Sequence, residues 1–207
     1  MQLSIDLITQ RLRERDHRQA EITRDTRQAA VATILRPGPG GTEVLFILRA
    51  EKEGDPWSGH MAFPGGHREP ADTDLMATAA RETREEIGID LHQHGRLLGP
   101  LDQLSSMRRG GQQSLLVAPY VWVLEDDRDA LNQLNPNHEV SDVLWGSLDA
   151  MVRGENLTSF EKEFGGSQHT MQGYTVGEQI VWGLTFRMLR EFFAVIHPEA
   201  APPVRGK

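Results

Sequence analysis

Three glutamates lie close together on one predicted helix: Glu82, Glu85 and Glu86. Their spacing of three and four residues places the three carboxylates on one side of the helix. Like charges at this spacing repel each other by roughly a few tenths of a kcal/mol per pair, so helix stability alone does not favour them. Clustered carboxylate oxygens are the ligands that Mg²⁺ and Mn²⁺ prefer, and such ions in turn bind phosphate oxygens. The pattern predicts a divalent metal site, with an ordinary solvated acidic face as the alternative.

The residues around the glutamates favour the metal site. Arg81 precedes Glu85 by four residues and can hold its carboxylate in place. The string RETREEIGI, which begins at Arg81, resembles the R-E-U-x-E-E-x-G-U core of the Nudix box, where U is an apolar residue and Thr83 is a weak match. Ahead of it, the FPGG sequence that ends at Gly66 resembles the glycine turn of the same family. The chain is identified by this resemblance as a Nudix-type protein.

The arm between the glycine turn and the helix departs from the usual box, which runs G-x5-E-x7-R. Counted back from Arg81, that box requires glycine and glutamate where the chain has His67 and Thr73. An arm that is one residue longer lets Gly66 and Asp72 take the two places. The longer arm, GGHREPAD, resembles the branch of the family that hydrolyses coenzyme A.

The resemblance implies a fold and a reaction. The fold is α/β, a Nudix-type α/β/α sandwich with a mixed β-sheet between helices. In the reaction, water attacks one phosphorus of a pyrophosphate linked to a group X, with Mg²⁺ or Mn²⁺ as cofactor. By position, Glu82, Glu85 and Glu86 are metal ligands and Arg81 orients them. Glu139 resembles a family acid outside the box that is a fourth ligand or the base, so Arg81, Glu85 and Glu139 are expected to take part in catalysis; an ordinary loop acid is the alternative for Glu139.

Three segments bear on the identity of X. The stretch LFILRAEKEGDPWSGHMAFPGG resembles the coenzyme A signature at Arg49. Near the place of the signature's second arginine stand Glu53, Gly54 and Asp55, and the spacing to Gly59 is one residue too long. The segments LLVAPYV and WGLT resemble a strand and a helix start of the same branch. The resemblance implies hydrolysis of coenzyme A or a derivative to 4′-phosphopantetheine and 3′,5′-ADP. The alternatives are ADP-ribose, other nucleoside diphosphate derivatives or nucleoside triphosphates, and, in a different class, a non-catalytic binding module.

The predicted substrate contacts are basic, glycine and aromatic residues: Arg49, Gly65, Gly66, Arg68, Arg108 and Tyr174. The arginines are expected to bind phosphates, with solubilising loop residues as the alternative. The two glycines are expected to bring the backbone close to the metal and the phosphates. Tyr174 is expected to stack on an adenine, with a core position as the alternative.

Hydrophobic patterns predict the elements that must position these residues. Strands are expected at 29–36, 43–49, 113–124 and 142–145, helices at 72–87 and 179–196, and an irregular hairpin or loop at 154–178. The first 27 residues are predicted as a helical extension, residues 28–197 as the Nudix hydrolase domain, and residues 198–207 as a disordered tail. A homodimer is expected, if at all, to use the segment Leu3 to Leu12.

Composition excludes several functional classes. The 207 residues contain no cysteine, which excludes disulfides, thiolate nucleophiles and Cys-ligated zinc or iron–sulfur sites. The formal net charge of −8 makes nucleic acid an unexpected partner and favours a small nucleotide-type substrate. The sequence shows neither an apolar run of membrane-spanning length nor a secretory signal, so we expect a cytoplasmic protein without membrane contact.

Overall fold

A mixed β-sheet of eight strands lies at the centre of the protein, in a computed structural model that describes residues 2–20, 22, 25–54, 57–106, 115–125, 127–164 and 166–199. Its strands are β1 (Arg27–Gly38), β2 (Gly41–Arg49), β3 (Met61–Ala62), β4 (Gly65–His67), β5 (Gly95–Pro100), β6 (Leu104–Ser106), β7 (Leu115–Leu124) and β8 (Val140–Ser147). Strand β1 runs parallel to β7, and the other strand pairs of this sheet are antiparallel. The predicted mixed sheet is therefore confirmed.

Strands β1 and β2 pair near their shared turn and then diverge. Beyond the turn, β1 pairs with β4 and β2 pairs with β3. Because β7 and β8 occupy the other sides of these two strands, β3 and β4 lie in the gap between β1 and β2. The FPGG segment joins β3 to β4 and is held in this gap, where the Ala32 N–H donates to the Pro64 carbonyl at 2.8 Å.

Helices cover both faces of the sheet. On one face lie α2 (Leu75–Ile87), α3 (Leu91–His94) and α4 (Asp127–Asn132); on the other lie α1 (Ile5–Arg13), α5 (Leu148–Val152) and α6 (Gly183–Ile196). In β2, Val44 and Phe46 point to the α6 side, whereas Leu45 and Ile47 point to the α2 side. This two-residue alternation is typical of a strand that is buried on both faces, and it confirms the predicted α/β/α sandwich.

A second, three-stranded antiparallel sheet follows α5. It consists of β9 (Leu157–Phe164), β10 (Ser167–Val176) and β11 (Gln179–Trp182). The hairpin predicted at 154–178 is present as β9 and β10, but its strands are regular and not irregular. The predicted helix start at Gln179 is wrong, because α6 begins only at Gly183. Strand β10 starts with four exposed residues in succession, Ser167 to Thr170, so the apolar alternation that reveals a strand is missing from its sequence.

The N-terminal segment is helical only in α1 among its described residues. Leu3, Ile8 and Leu12 are buried in the core that α1 shares with α6. Since these apolar side chains are used inside the chain, they are not available for the predicted homodimer contact. Helix α1 thus covers part of the α6 side of the sheet.

The residues after α1 form ion pairs, whereas the sequence predicted that the helix continues there. Arg15 and Arg18 both bind the carboxylate of Asp102, and no helix is present at the described positions 14–20. The helices in the described ranges are all too short or too polar to cross a membrane. Most of the predicted tail, from residue 200 onward, lies outside the described residues.

Candidate functional site

Helix α2 carries the three glutamates, and local hydrogen bonds fix both of its ends. At the start, the Asp74 carboxylate accepts the Ala77 N–H at 2.8 Å. At the end, Gly88 adopts a left-handed φ of 80°, a conformation that favours glycine. The predicted end of the helix is confirmed, but the helix begins at Leu75 rather than at Asp72, because the residues between them form a turn and the N-cap.

The inner face of α2 packs against the sheet. Ala79, Ala80 and Ile87 are buried in the core on this side. Thr83, the weak match to an apolar position, is also fully buried, and its hydroxyl donates to the Ala79 carbonyl at 2.7 Å. Its burial therefore leaves no unpaired polar group, and the threonine is compatible with the helix.

The glycine turn lies directly over Glu86. The Gly65 N–H donates to Glu86 Oε2 at 2.8 Å, and Glu86 is only 3% exposed. Burial raises the pKa of Glu86 to about 8, and repulsion from Glu82 and Glu139 adds to the shift. The Gly65 N–H and the positive charge of Arg49 oppose it. Three predicted site acids and one predicted substrate-binding arginine therefore act on the same region.

The same turn also covers Glu82. A Cβ atom at Gly66 would lie 2.5 Å from the Glu82 carboxyl group, so a larger residue here would displace that carboxylate. Glu82 is partly buried, and burial raises the pKa of its carboxyl group. Because Glu82 and Glu86 are both withdrawn from water, the alternative of an ordinary solvated acidic face is wrong for two of the three glutamates.

Arg81 contacts the residues that surround this turn. Its guanidinium group donates to both oxygens of Asp72 at 2.9 and 3.1 Å and to the His67 carbonyl at 3.0 Å. It also pairs with Glu82 at 3.1 Å and with Glu85 at 3.0 Å. Arg81 therefore links the arm to two carboxylates of the helix, as expected for an orienting residue.

Asp72, and not Thr73, is the acid that supports Arg81. Its carboxylate also accepts the Thr78 hydroxyl and the Glu69 N–H, each at 2.9 Å. Hydrogen bonds from Arg81 hold the pKa of the Asp72 carboxyl well below its usual range. The longer arm proposed from the sequence is consistent with these contacts.

The loop before β8 brings Glu139 to the glutamate helix. Its carbonyl accepts the Ala50 N–H at 2.8 Å at the end of β2, and its N–H donates to Asn137 Oδ1 at 2.8 Å. Glu139 is exposed, and its negative charge acts on Glu86. Sequence reasoning missed Asn137, which had only its position in an Asn-Pro-Asn turn as a local signal.

The family model of the NUDIX domain matches residues 26–164. The chain belongs to the Nudix family. Nudix hydrolase 22 of Arabidopsis thaliana is 31% identical to it over 176 residues, which cover 83% of this chain and 56% of that protein. A mitochondrial coenzyme A diphosphatase of Homo sapiens is 32% identical over 163 residues, which cover 76% of this chain and 64% of that protein. The chain therefore spans a little more than half of the length of these relatives.

A solved structure shows the same fold. The crystal structure of a Nudix hydrolase from Alicyclobacillus acidocaldarius aligns with a TM-score of 0.53 over 90% of this chain and 100% of that one, at 19% sequence identity. At this level of identity the likeness supports the Nudix fold and nothing more specific.

Two of the arginines predicted to contact the substrate lie near α2, and the third lies outside the described residues. Arg49 ends β2, and its charge acts on Glu86. Arg68 is exposed; its guanidinium group donates to Gln28 Oε1 at 3.0 Å and lies 3.4 Å from the carbonyls of Asp72 and Thr73, so it also braces the arm. Arg108 lies outside the described residues.

Tyr174 contradicts the prediction of a substrate contact. It is 2% exposed, and its ring packs on Phe186 and Phe193 with centroids 5.1 and 5.7 Å away. A ring that is enclosed in this way cannot stack on an adenine, so Tyr174 is a core residue. The alternative considered for it is the correct one.

The Nudix carboxylates offer a divalent ion suitable ligands but do not yet surround it. Within the described ranges, no three acidic or histidine side chains converge closely enough to hold a metal ion as they stand. The guanidinium group of Arg81 instead pairs with both Glu82 and Glu85. Glu85, with a side chain 55% exposed, can change rotamer at little cost. Burial raises the pKa values of Glu82 and Glu86, so a cation beside them would favour their charged forms, and their carboxylate oxygens fit Mg²⁺ or Mn²⁺.

Proposed function

We propose that the protein is a Mg²⁺- or Mn²⁺-dependent pyrophosphatase that hydrolyses coenzyme A or a derivative to 4′-phosphopantetheine and 3′,5′-ADP. The observation that supports this most strongly is the pair Glu82 and Glu86, withdrawn from water beneath the glycine turn. Buried like charges lower stability, so their presence in a Nudix chain favours a functional role.

The residues that would hold the ion are four carboxylates: Glu82, Glu85, Glu86 and Glu139. When bound, the ion would polarise the phosphate oxygens and stabilise the charge of the departing phosphate. The chain supplies the orientation. The Gly65 N–H holds the Glu86 carboxylate, and the guanidinium group of Arg81 holds Glu85. The charge of Arg49 acts on the same region and is suited to a substrate phosphate.

Hydrolysis requires a group that accepts a proton from the attacking water. The water oxygen forms a bond to one phosphorus, the bridging P–O bond breaks, and the water proton passes to a carboxylate. Glu85 and Glu139 are the exposed candidates. Arg81 already occupies one carboxylate oxygen of Glu85 at 3.0 Å, which favours Glu139 as the proton acceptor.

The choice of coenzyme A rests on weaker support than the reaction class. It draws on the named human relative, the longer arm ending at Asp72 and the retained Arg49. The missing second arginine of the signature counts against it. ADP-ribose, another nucleoside diphosphate derivative or a nucleoside triphosphate is the alternative, and nucleic acid is not proposed as a partner. Because two relatives are named as chloroplastic and mitochondrial, a cytoplasmic location remains a prediction.

Product analysis tests both the reaction and the substrate. The purified protein would be incubated with coenzyme A, ADP-ribose or a nucleoside triphosphate, each with Mg²⁺ or Mn²⁺, and the products identified by mass spectrometry. We expect 4′-phosphopantetheine and 3′,5′-ADP from coenzyme A. Cleavage of ADP-ribose without cleavage of coenzyme A would refute the substrate, and no cleavage of any compound would favour the binding module.

Matched variants test the residues. Glu86→Gln and Glu139→Gln should each lower kcat by at least about 100-fold, because each removes a charged ligand or the base. Glu14→Gln is the control, since this exposed glutamate follows α1 on the opposite face of the sheet. Unchanged hydrolysis by both site variants would show that these carboxylates do not perform the reaction.

A further inference from the structure

Helix α2 leaves four carbonyl groups without helical partners at its C-terminal end, as any α-helix does. All four accept hydrogen bonds in this structure. The Gly88 N–H donates to the Arg84 carbonyl at 3.0 Å, and the Asn135 N–H donates to the Ile87 carbonyl at 2.9 Å. The two carbonyls between them are both bonded by a single residue, Asn137. The loop that leads to β8 is therefore also the cap of the Nudix helix.

Asn137 uses three of its hydrogen-bonding groups for three of the predicted ligands. Its backbone N–H donates to the Glu86 carbonyl at 2.8 Å, and its side-chain Nδ2 donates to the Glu85 carbonyl at 3.0 Å. Its side-chain Oδ1 accepts the Glu139 N–H at 2.8 Å. The side chain of Asn137 therefore connects the backbone of Glu139 directly to the helix turn that carries Glu85 and Glu86.

These bonds act on backbone groups, so they fix the backbone from which each glutamate side chain extends and not the carboxylate itself. Glu85 and Glu139 are exposed. Arg81 holds the Glu85 carboxylate at 3.0 Å, so the bonds of Asn137 matter most for the position of Glu139. The neutral amide of Asn137 donates to a carbonyl and accepts an N–H at the same time. An aspartate would accept the N–H but would place a negative charge against the negative end of the helix.

We propose that Asn137 is a positioning residue of the carboxylate site, which sets Glu139 against the last turn of α2 so that a divalent ion is bound by both. This inference rests on the proposed function, since the ion is part of it. It assigns to Asn137 a role through Glu139 that a simple helix cap would not have. Residues that orient metal ligands in this way typically change metal affinity or activity by about 10–100-fold when they are altered.

Mn²⁺ titration of the metal-free protein tests the proposal, with binding followed by electron paramagnetic resonance. Asn137→Ala should weaken Mn²⁺ binding by about 10-fold. Asn137→Ser should recover part of this loss, because a serine hydroxyl can accept the Glu139 N–H in the same turn. Asn135→Ala is the matched control, since Asn135 caps the helix through its backbone N–H and keeps that bond as alanine.

A double-mutant cycle separates positioning from capping. If Asn137 acts through Glu139, then Asn137→Ala should have little further effect on Mn²⁺ affinity in a Glu139→Gln background. Amide hydrogen exchange gives a readout without metal: exchange at Glu139 and Ala50 should be faster in Asn137→Ala than in Asn135→Ala. Equal losses of Mn²⁺ affinity in both backgrounds would overturn the proposal, as would wild-type affinity in Asn137→Ala.

The outcome also distinguishes this inference from the function on which it rests. A wild-type protein that binds Mn²⁺ and hydrolyses its substrate, beside an Asn137→Ala variant that does both equally well, overturns only the role of Asn137. A wild-type protein that does neither overturns the proposed function, and the positioning role with it.

Discussion

Replacing Asp72 should directly weaken the hydrogen bonds that hold Arg81 and the arm against α2. Its carboxylate is buried and accepts two bonds from Arg81, one from the Thr78 hydroxyl and one from the Glu69 N–H. Asp72→Asn keeps the shape of the side chain but removes its charge. One carboxylate oxygen becomes an NH₂ group, so at least one of the four donors then faces another donor.

The expected loss of stability follows from this geometry. Removing one partner of a buried ion pair typically costs about 3–5 kcal/mol, because the other charge stays buried. The Arg81 side chain is 22% exposed and keeps its contacts with Glu82, Glu85 and the His67 carbonyl. We therefore expect the lower end, about 3 kcal/mol, which corresponds to a fall in Tm of about 6–12 °C for a chain of this size.

The loss should depend on pH in a defined direction. The pKa of Asp72 is lower in the folded protein than in the unfolded chain, because Arg81 favours its charged form. The folded state therefore binds this proton less tightly, and acid favours unfolding. The stabilisation by Asp72 is complete above its unfolded pKa of about 3.9 and is lost as the pH falls below that value.

Urea unfolding followed by circular dichroism measures both effects. The difference in unfolding free energy between wild type and Asp72→Asn should be largest near neutral pH and should shrink below about pH 4. Asp74→Asn is the matched control: it makes the same chemical change at an exposed N-cap, where asparagine serves about as well as aspartate. A neutral-pH difference below about 1 kcal/mol, or one that does not change with pH, would refute the reasoning.

Three further outcomes follow from the structure. In the metal-free protein, Glu86→Gln should raise the unfolding free energy by at least about 1 kcal/mol near pH 8, and this gain should disappear toward about pH 4 as the native carboxyl becomes neutral. Urea unfolding with a chelator measures the gain, and a gain that does not change with pH would contradict the prediction. Gly66→Ala should lower kcat by at least about 10-fold, because its added Cβ would displace the Glu82 carboxylate. Gly40→Ala is the control and should leave kcat unchanged, since no atom lies within 4 Å of its added Cβ; equal rates in the two variants would contradict the close approach of the turn. Asp149→Ala should lower the unfolding free energy by about 2–4 kcal/mol and speed amide exchange at Leu3, whose N–H donates to the buried Asp149 carboxylate at 2.7 Å. Unchanged exchange at Leu3 would contradict the role of this hydrogen bond.

The parts of the site that lie close together in sequence could be predicted from it. Glu82 and Glu86 emerge on one side of a helix because of their spacing, and Gly88 marks its end. The arm was also within reach, since counting back from Arg81 leaves Asp72 as the acid that fits. In each case the decisive contact spans few residues, so the local pattern contains the needed information.

The parts that depend on distant contacts could not be predicted in the same way. Asn137 meets the helix across 52 residues, and no pattern near it indicates that partner. Tyr174 is buried by the aromatic face of α6, whereas its polar neighbours in the sequence suggested an exposed loop. The sheet of β9 to β11 is held together largely by backbone pairing, and the exposed first half of β10 has no apolar alternation that would reveal it.

The unfavourable charges of the site are held mainly by backbone groups. Glu86 is fixed by the N–H of Gly65, and the helix turn that carries it is capped by the N–H of Asn137. A backbone donor keeps its position when the side chain changes, and it brings no charge that would compete with a cation for the carboxylate. Arg81 is the exception, because its positive charge stabilises the same carboxylates that a cation would use. The bidentate pair with Asp72 anchors Arg81 to the arm, so under the proposed function we expect the supporting acid to affect metal binding without touching the metal.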